Sequence, residues 1–96
     1  MIEAFGSALA EDLFDDKGSQ ATKAFRPELC RAARRKLQYV HEAADLRDLK
    51  SPPGNRLEGL KGDMKGFHSI RINDQWRVVF RWSGGNAFDV QIVDYP

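Results

Sequence analysis

Ninety-six residues are enough for one compact domain around a single core and too few for two. At 42% hydrophobic and 30% charged residues the chain is balanced like a folded globular domain, which excludes disorder, and its net charge of +1 does not by itself advertise a nucleic-acid partner. No apolar run nears the roughly 20 residues of a bilayer span, and the opening stretch is acidic where a signal peptide is basic, so a cytoplasmic protein with no membrane contact is expected. The only cysteine, Cys30, excludes an intrachain disulfide, leaves too few soft ligands for zinc, and is expected to pack in the core.

Met1 to Phe5 is short and apolar and runs into Gly6 and Ser7, the pattern of a first strand handing over to a helix with Ser7 as N-cap. Leu9, Leu13 and Phe14 recur at helical spacing, Glu11 and Asp12 sit where negative charge suits the helix dipole, and the helix should end near Gly18. Pro27 opens a second helix, since its fixed φ and missing donor are tolerated in a first turn. Cys30, Ala33, Leu37, Val40 and Ala44 form one face of it, about five turns long, with Arg31, Arg35, Glu42 and Asp45 turned away.

Two prolines and a glycine make Ser51 to Asn55 a loop. Leu57 to Leu60 can form a short strand, and Phe67 to Ile72 a longer one that turns at Asn73 and Asp74. Beyond that turn the period is two. Trp76, Val78, Phe80 and Trp82 alternate with Arg77, Val79 and Arg81, and Phe88, Val90 and Ile92 alternate with Asp89, Gln91 and Val93. Ser83 to Asn86 supplies the hairpin turn between those two strands. The expected architecture is α+β: an N-terminal strand and two helices packed on one face of a twisted, mainly antiparallel sheet, in a single domain spanning residues 1 to 96.

Charge is uneven along this plan. From Arg47 to Arg81 there are eight basic residues (Arg47, Lys50, Arg56, Lys61, Lys65, Arg71, Arg77, Arg81) against four acidic ones (Asp48, Glu58, Asp63, Asp74), so that segment is +4 and the remainder −3. Arg77 and Arg81 fall on the sheet face opposite the apolar stripe, where with Arg71 and Lys61 they can converge on a phosphate; a solvated sheet face is the plainer alternative. Tyr95 shares that side by alternation and can stack on a base, orient a sugar hydroxyl, or simply cover the sheet edge. His68 and His41 lie with apolar neighbours and read as satisfied, partly buried side chains. With no P-loop, dinucleotide fingerprint, His-Glu-x-x-His, Gly-x-Ser-x-Gly or metal-spaced carboxylate cluster, what survives is metal-free, cofactor-free chemistry on a phosphate, or pure binding.

Three runs then stand out: PPGNRLEGLKGD from Pro52 to Asp63, HSIRINDQWRVVFRW from His68 to Trp82, and VDY from Val93 to Tyr95. In that order they closely resemble HigB-type toxins, the plasmid-maintenance killer proteins of the RelE/ParE superfamily, whose fold matches the plan above. The resemblance implies a type II toxin that cleaves mRNA in the ribosomal A site without a metal, with A-rich codons as targets. It also implies a helix-turn-helix, HigA-like antitoxin as partner, and contact with operator DNA only through that antitoxin. On this resemblance Arg77 stabilises the charged phosphate, Lys61 does the same or helps bind, and Asp94 and Tyr95 match a terminal Asp-Tyr pair whose tyrosine orients or activates the attacking hydroxyl. Arg71, Arg81, Lys65 and Arg56 are the RNA-binding candidates. The chain departs from the pattern at Pro96, where the family usually has histidine, and at Glu58, where some members do. Those departures keep two alternatives open: a catalytically impaired relative that binds antitoxin as a co-repressor, and a ParE-like gyrase poison.

Overall fold

In the computed structural model, which describes residues 1 to 94, the chain is α+β, with its helices on one face of a four-stranded antiparallel sheet. Ser7 caps the first helix, α1 (Ala8–Phe14), by accepting from the Ala10 amide. The helix stops sooner than Gly18 because Asp16 turns to φ 58°. Its last carbonyls meet Arg34 of the long helix, which donates to Leu13 O at 3.2 Å and pairs with Asp16, placing a cation at the negative end of the dipole. A one-turn helix not foreseen from the sequence, α2 (Gln20–Lys23), is closed by a Ser19/Thr22 capping box. The long helix, α3 (Pro27–Glu42), buries Ala33, Leu37 and Val40 as its spacing dictates, but it ends before Ala44, which is exposed while Ala43 is buried in its place.

The strands β1 (Glu58–Gly59), β2 (Phe67–Arg71), β3 (Trp76–Ser83) and β4 (Asn86–Asp94) lie side by side in sequence order. Register places Ile70 against Val78 and Val78 against Ile92 on the helix side. With Phe80, Ala87 and Val90 they meet Leu13, Leu37 and Val40 in one core. Truncating a fully buried member such as Leu37 to alanine removes about 2–5 kcal/mol.

Two expectations are modified by one feature, a bulge in β4. Val79 pairs with Gln91 but Arg81 with Phe88, so Asp89 and Val90 together oppose Phe80, and Asp89 takes φ 52°. The extra residue flips the alternation. Ala87, not Phe88, joins Val90 and Ile92 on the core side, and Phe88 is left opposite Arg81. The N-terminal strand is likewise reduced to two parallel bridges, Ile2 with Ala87 before that bulge and Phe5 with Val90 within it. Four backbone hydrogen bonds between residues 1 to 6 and β4 still hold it there. His41 belongs to this seam, its Nδ1 accepting from the Ile2 amide at 3.1 Å and its ring packed on Phe14.

Candidate functional site

The face of the sheet turned away from the helices carries Ser69 and Arg71 on β2, Arg77, Val79 and Arg81 on β3, and Val93 on β4, because each pair in register shares a side. Alternation therefore delivers Arg71, Arg77 and Arg81 to one surface as expected. It does not deliver a solvated one: Arg77 is only 6% exposed. Its Nε donates to Ser69 Oγ at 2.8 Å, Nη2 donates to the Arg56 carbonyl at 2.6 Å, and Nη1 lies 3.3 Å from Glu58 Oε1. Burying a guanidinium is expensive unless its donors are met, and here a hydroxyl, a carbonyl and a carboxylate meet them. Glu58, the residue that stands where some relatives have histidine, is thus part of the seating of Arg77.

These contacts tie β3 to the irregular segment between the helices and the sheet. Arg56 is exposed and sits in the left-handed region at φ 46°. Beyond the short β1, the Leu60 amide returns to Phe67 O at 2.9 Å, and Lys61 begins a tight turn over Gly62–Met64. The glycine at φ 66° lets the chain reverse there. Lys61 and Lys65 flank this turn and are exposed, and Lys61 lines a cleft of about 360 Å³ with Glu58, Gly59, Leu60 and Met64. Arg81, half exposed, lies 4.3 Å over the Phe67 ring and 3.2 Å from Asp89, a carboxylate that the bulge presents. Arg71 pairs with Asp74.

Asp94 stands apart from this group. It is in register with Trp76 on the helix side of the sheet, exposed, and accepts from Gln75 Nε2 at 3.1 Å. Tyr95 and Pro96 lie outside the described residues. A larger groove of about 830 Å³ runs between α3 and the turn at Asn73 to Gln75, floored by Phe25, Leu29, Ala32 and Trp76, and none of the sequence-derived site residues lines it. Among the described residues no three His, Cys, Asp or Glu side chains gather as a metal would require, and no helix is long and apolar enough to cross a membrane.

Sequence reasoning missed two residues that organise the site. Asn55 is fully buried, and its amide donates to the carbonyls of Leu49 and Ser51, both at 3.2 Å. Its Oδ1 accepts from Lys36 Nζ at 2.7 Å, so helix α3 grips the loop one residue before the carbonyl that holds Arg77. Lys36 also lies 5.3 Å over the Tyr39 ring, and burial, followed by the charges of Arg35 and Arg71, pushes its pKa down. The one available signal was an asparagine directly after Pro-Pro-Gly, which reads as turn chemistry and hides its packing role.

Comparison with known proteins places the chain in a family. Residues 4–95 match the family described as the RelE-like toxin HigB of type II toxin–antitoxin systems. Toxin HigB-1 of Vibrio cholerae is 45% identical over 58 residues, covering 60% of this chain and 61% of that protein. Endoribonuclease HigB of Proteus vulgaris is 32% identical over 60 residues, covering 62% and 64%. The chain therefore spans less than two thirds of these curated relatives in the matched regions. Among solved structures, the YoeB–YefM complex of Staphylococcus aureus superposes with a TM-score of 0.62 at 14% identity, covering 100% of this chain and 98% of that one. The YoeB/ParE toxin of Agrobacterium tumefaciens gives 0.55 at 20% identity, covering 99% and 100%. Such low identities carry the fold alone, and it is the same α+β fold. With nearly its whole length matched by one family, the chain belongs to the HigB-type RelE-like toxins of type II toxin–antitoxin systems.

Proposed function

We propose that this chain is a ribosome-dependent endoribonuclease that cuts mRNA in the A site and arrests translation, restrained by a helix-turn-helix antitoxin. The observation that carries the reading is Arg77: a guanidinium fixed by Ser69, the Arg56 carbonyl and Glu58, with Arg71 across from it in register. Cations that are already oriented need no reorganisation when charge develops on a phosphate, and a low-dielectric setting makes them count for more. The reaction is attack of a ribose 2′-oxygen on its own 3′-phosphorus. The new P–O bond closes a 2′,3′-cyclic phosphate, the P–O bond to the next nucleotide breaks, and the departing 5′-oxygen takes up a proton.

In this scheme Arg77 faces the phosphate as its charge peaks, and Lys61, Lys65, Arg56, Arg71 and Arg81 hold the strand. Tyr95 orients the attacking hydroxyl and, in its phenolate form, takes the proton that the hydroxyl loses. Water supplies the proton to the leaving oxygen, because proline at 96 has none to give. Asp94 we assign to fixing the end of β4 through Gln75 rather than to the chemistry itself. The support for the activity is the family and the curated relative named as an endoribonuclease. The support for an antitoxin is the same family and a fold relative solved with its partner YefM. Expression in a bacterial host tests the reading: growth arrest with new mRNA 5′ ends inside codons supports it. Arrest with intact mRNA and a DNA-damage response would transfer the protein to gyrase, and unimpaired growth with folded protein would leave a binding module.

A further inference from the structure

Phe88 serves neither the core nor the chemistry assigned to Arg77. The bulge at Asp89 exchanges it with Ala87, which takes the buried place on the helix side, and sets Phe88 on the opposite face of β4, directly across from Arg81. Moving a phenyl ring out of line with Val90 and Ile92 forgoes the burial it would have had among them. Phe88 is half-buried where it stands, lies outside the core cluster and, among the described residues, has no ring partner. Arg81 is in register with Phe67 of β2 as well, so three strands contribute one row, Phe67, Arg81 and Phe88, to the face that carries Arg77. The Arg81 guanidinium lies 4.3 Å from the centroid of the buried Phe67 ring and covers it, with Asp89 at 3.2 Å from Nε. One flat side of the guanidinium is thus taken by Phe67, and with 52% of the side chain exposed the other is left for a second planar group. Nucleobases stack on aromatic rings and on guanidinium planes alike.

We propose that Arg81 and Phe88, with Phe67 beneath Arg81, form a base-stacking platform that takes the base of one mRNA nucleotide flanking the cut. The inference rests on the endoribonuclease reading and extends it from a phosphate to a base. Arg81 follows Arg77 by four residues along β3, a separation of about 13 Å. The platform therefore serves a nucleotide other than the one whose phosphate Arg77 faces. Charge fits the same ligand, since Arg71, Arg77 and Arg81 share this face of the sheet and a strand reaching the platform passes along them. Stacking asks only for a π-face, so the platform holds the strand without reading which base it is.

The test is single-turnover cleavage on programmed ribosomes, with an intact mRNA and a set in which an abasic ribose replaces one nucleotide at a time around the cut. On intact mRNA, Phe88→Ala is expected to need about 5–150-fold more protein than the parent for half-maximal rate. With the base missing at one position the parent shows the same loss, and Phe88→Ala loses nothing further there, because ring and base are two halves of one contact. Phe88→Trp keeps the parent's behaviour. Phe88→Leu keeps apolar bulk for the fold but has no π-face, and repeats the position-dependent loss; thermal unfolding of each variant shows that it is folded. Parent-like cleavage by Phe88→Ala and Phe88→Leu overturns the platform and leaves the nuclease reading standing. A loss of equal size on every abasic mRNA means that the ring meets the ribosome or another partner instead of an mRNA base, and overturns it as well. A parent chain that leaves intact mRNA uncut overturns the nuclease reading and the platform with it.

Discussion

Replacing Asn55 by alanine removes the residue that joins helix, loop and cleavage face. Three hydrogen bonds disappear: two from its amide to Leu49 O and Ser51 O, and one accepted from Lys36. A neutral hydrogen bond contributes about 1 kcal/mol net, and one to a charged group about 1.5 kcal/mol when that group is half exposed, as Lys36 is. The sum is about 3–3.5 kcal/mol, with a further penalty if the Leu49 carbonyl finds no water. For a domain of this size, whose total stability is about 5–14 kcal/mol, the loss lowers Tm by about 12–25 °C. Urea unfolding followed by tryptophan fluorescence measures it, with an unchanged m-value and a midpoint lower by about 1–3 M. A loss below about 1 kcal/mol would refute the reasoning, because it would mean that the loop before Arg56 is held by something other than Asn55.

Four further outcomes follow from the same structure. Lys36 has a folded-state pKa below its ordinary value, so the unfolded chain binds its proton more tightly and charging Lys36 opposes folding. The parent should therefore gain stability relative to Lys36→Met as pH rises from the lowered folded pKa toward 10.5, and a flat difference across pH 7 to 10.5 would contradict this. Gly6→Ala places a Cβ 2.8 Å from Gln91 Cγ and 3.0 Å from Asp89 O, beside the bulge, and should cost about 1–3 kcal/mol in the same unfolding assay. Arg81→Gln gives up the exposed Asp89 pair and the contact of the half-exposed guanidinium with the buried Phe67 ring; stability should fall by no more than about 1 kcal/mol while RNA affinity drops and its salt slope flattens. Arg77→Lys keeps the charge but not the fork that reaches Ser69, Arg56 and Glu58 together, and should slow cleavage by about 10²–10³-fold.

Periodicity served this chain well where it was regular. Trp76 to Trp82 alternates without interruption, and both faces of β3 came out as read. It failed at Phe88, because a bulge is set by a single residue at positive φ, and Asp89 looks like any exposed strand residue until its backbone is seen. The one-turn helix at Gln20–Lys23 is too short to show an apolar face, so only its Ser19/Thr22 cap could have marked it. The placement of Arg77 was legible and its burial was not. Alternation says which side of a sheet an arginine takes, but not that a loop some twenty residues earlier will fold its carbonyl onto the guanidinium. Lys36 was hidden for a related reason: it sits beside the apolar stripe of α3, and its partner Asn55 lies nineteen residues away in a segment with no period at all.

The most direct test of the account is cleavage of a defined mRNA on programmed ribosomes by the purified chain, beside Arg77→Lys and Tyr95→Phe, with a control lacking ribosomes. The account predicts cuts within the A-site codon that require ribosomes, fade by orders of magnitude in both variants, and proceed with proline at position 96. Intact mRNA after incubation with folded protein would contradict it, as would cuts that persist undiminished in Arg77→Lys.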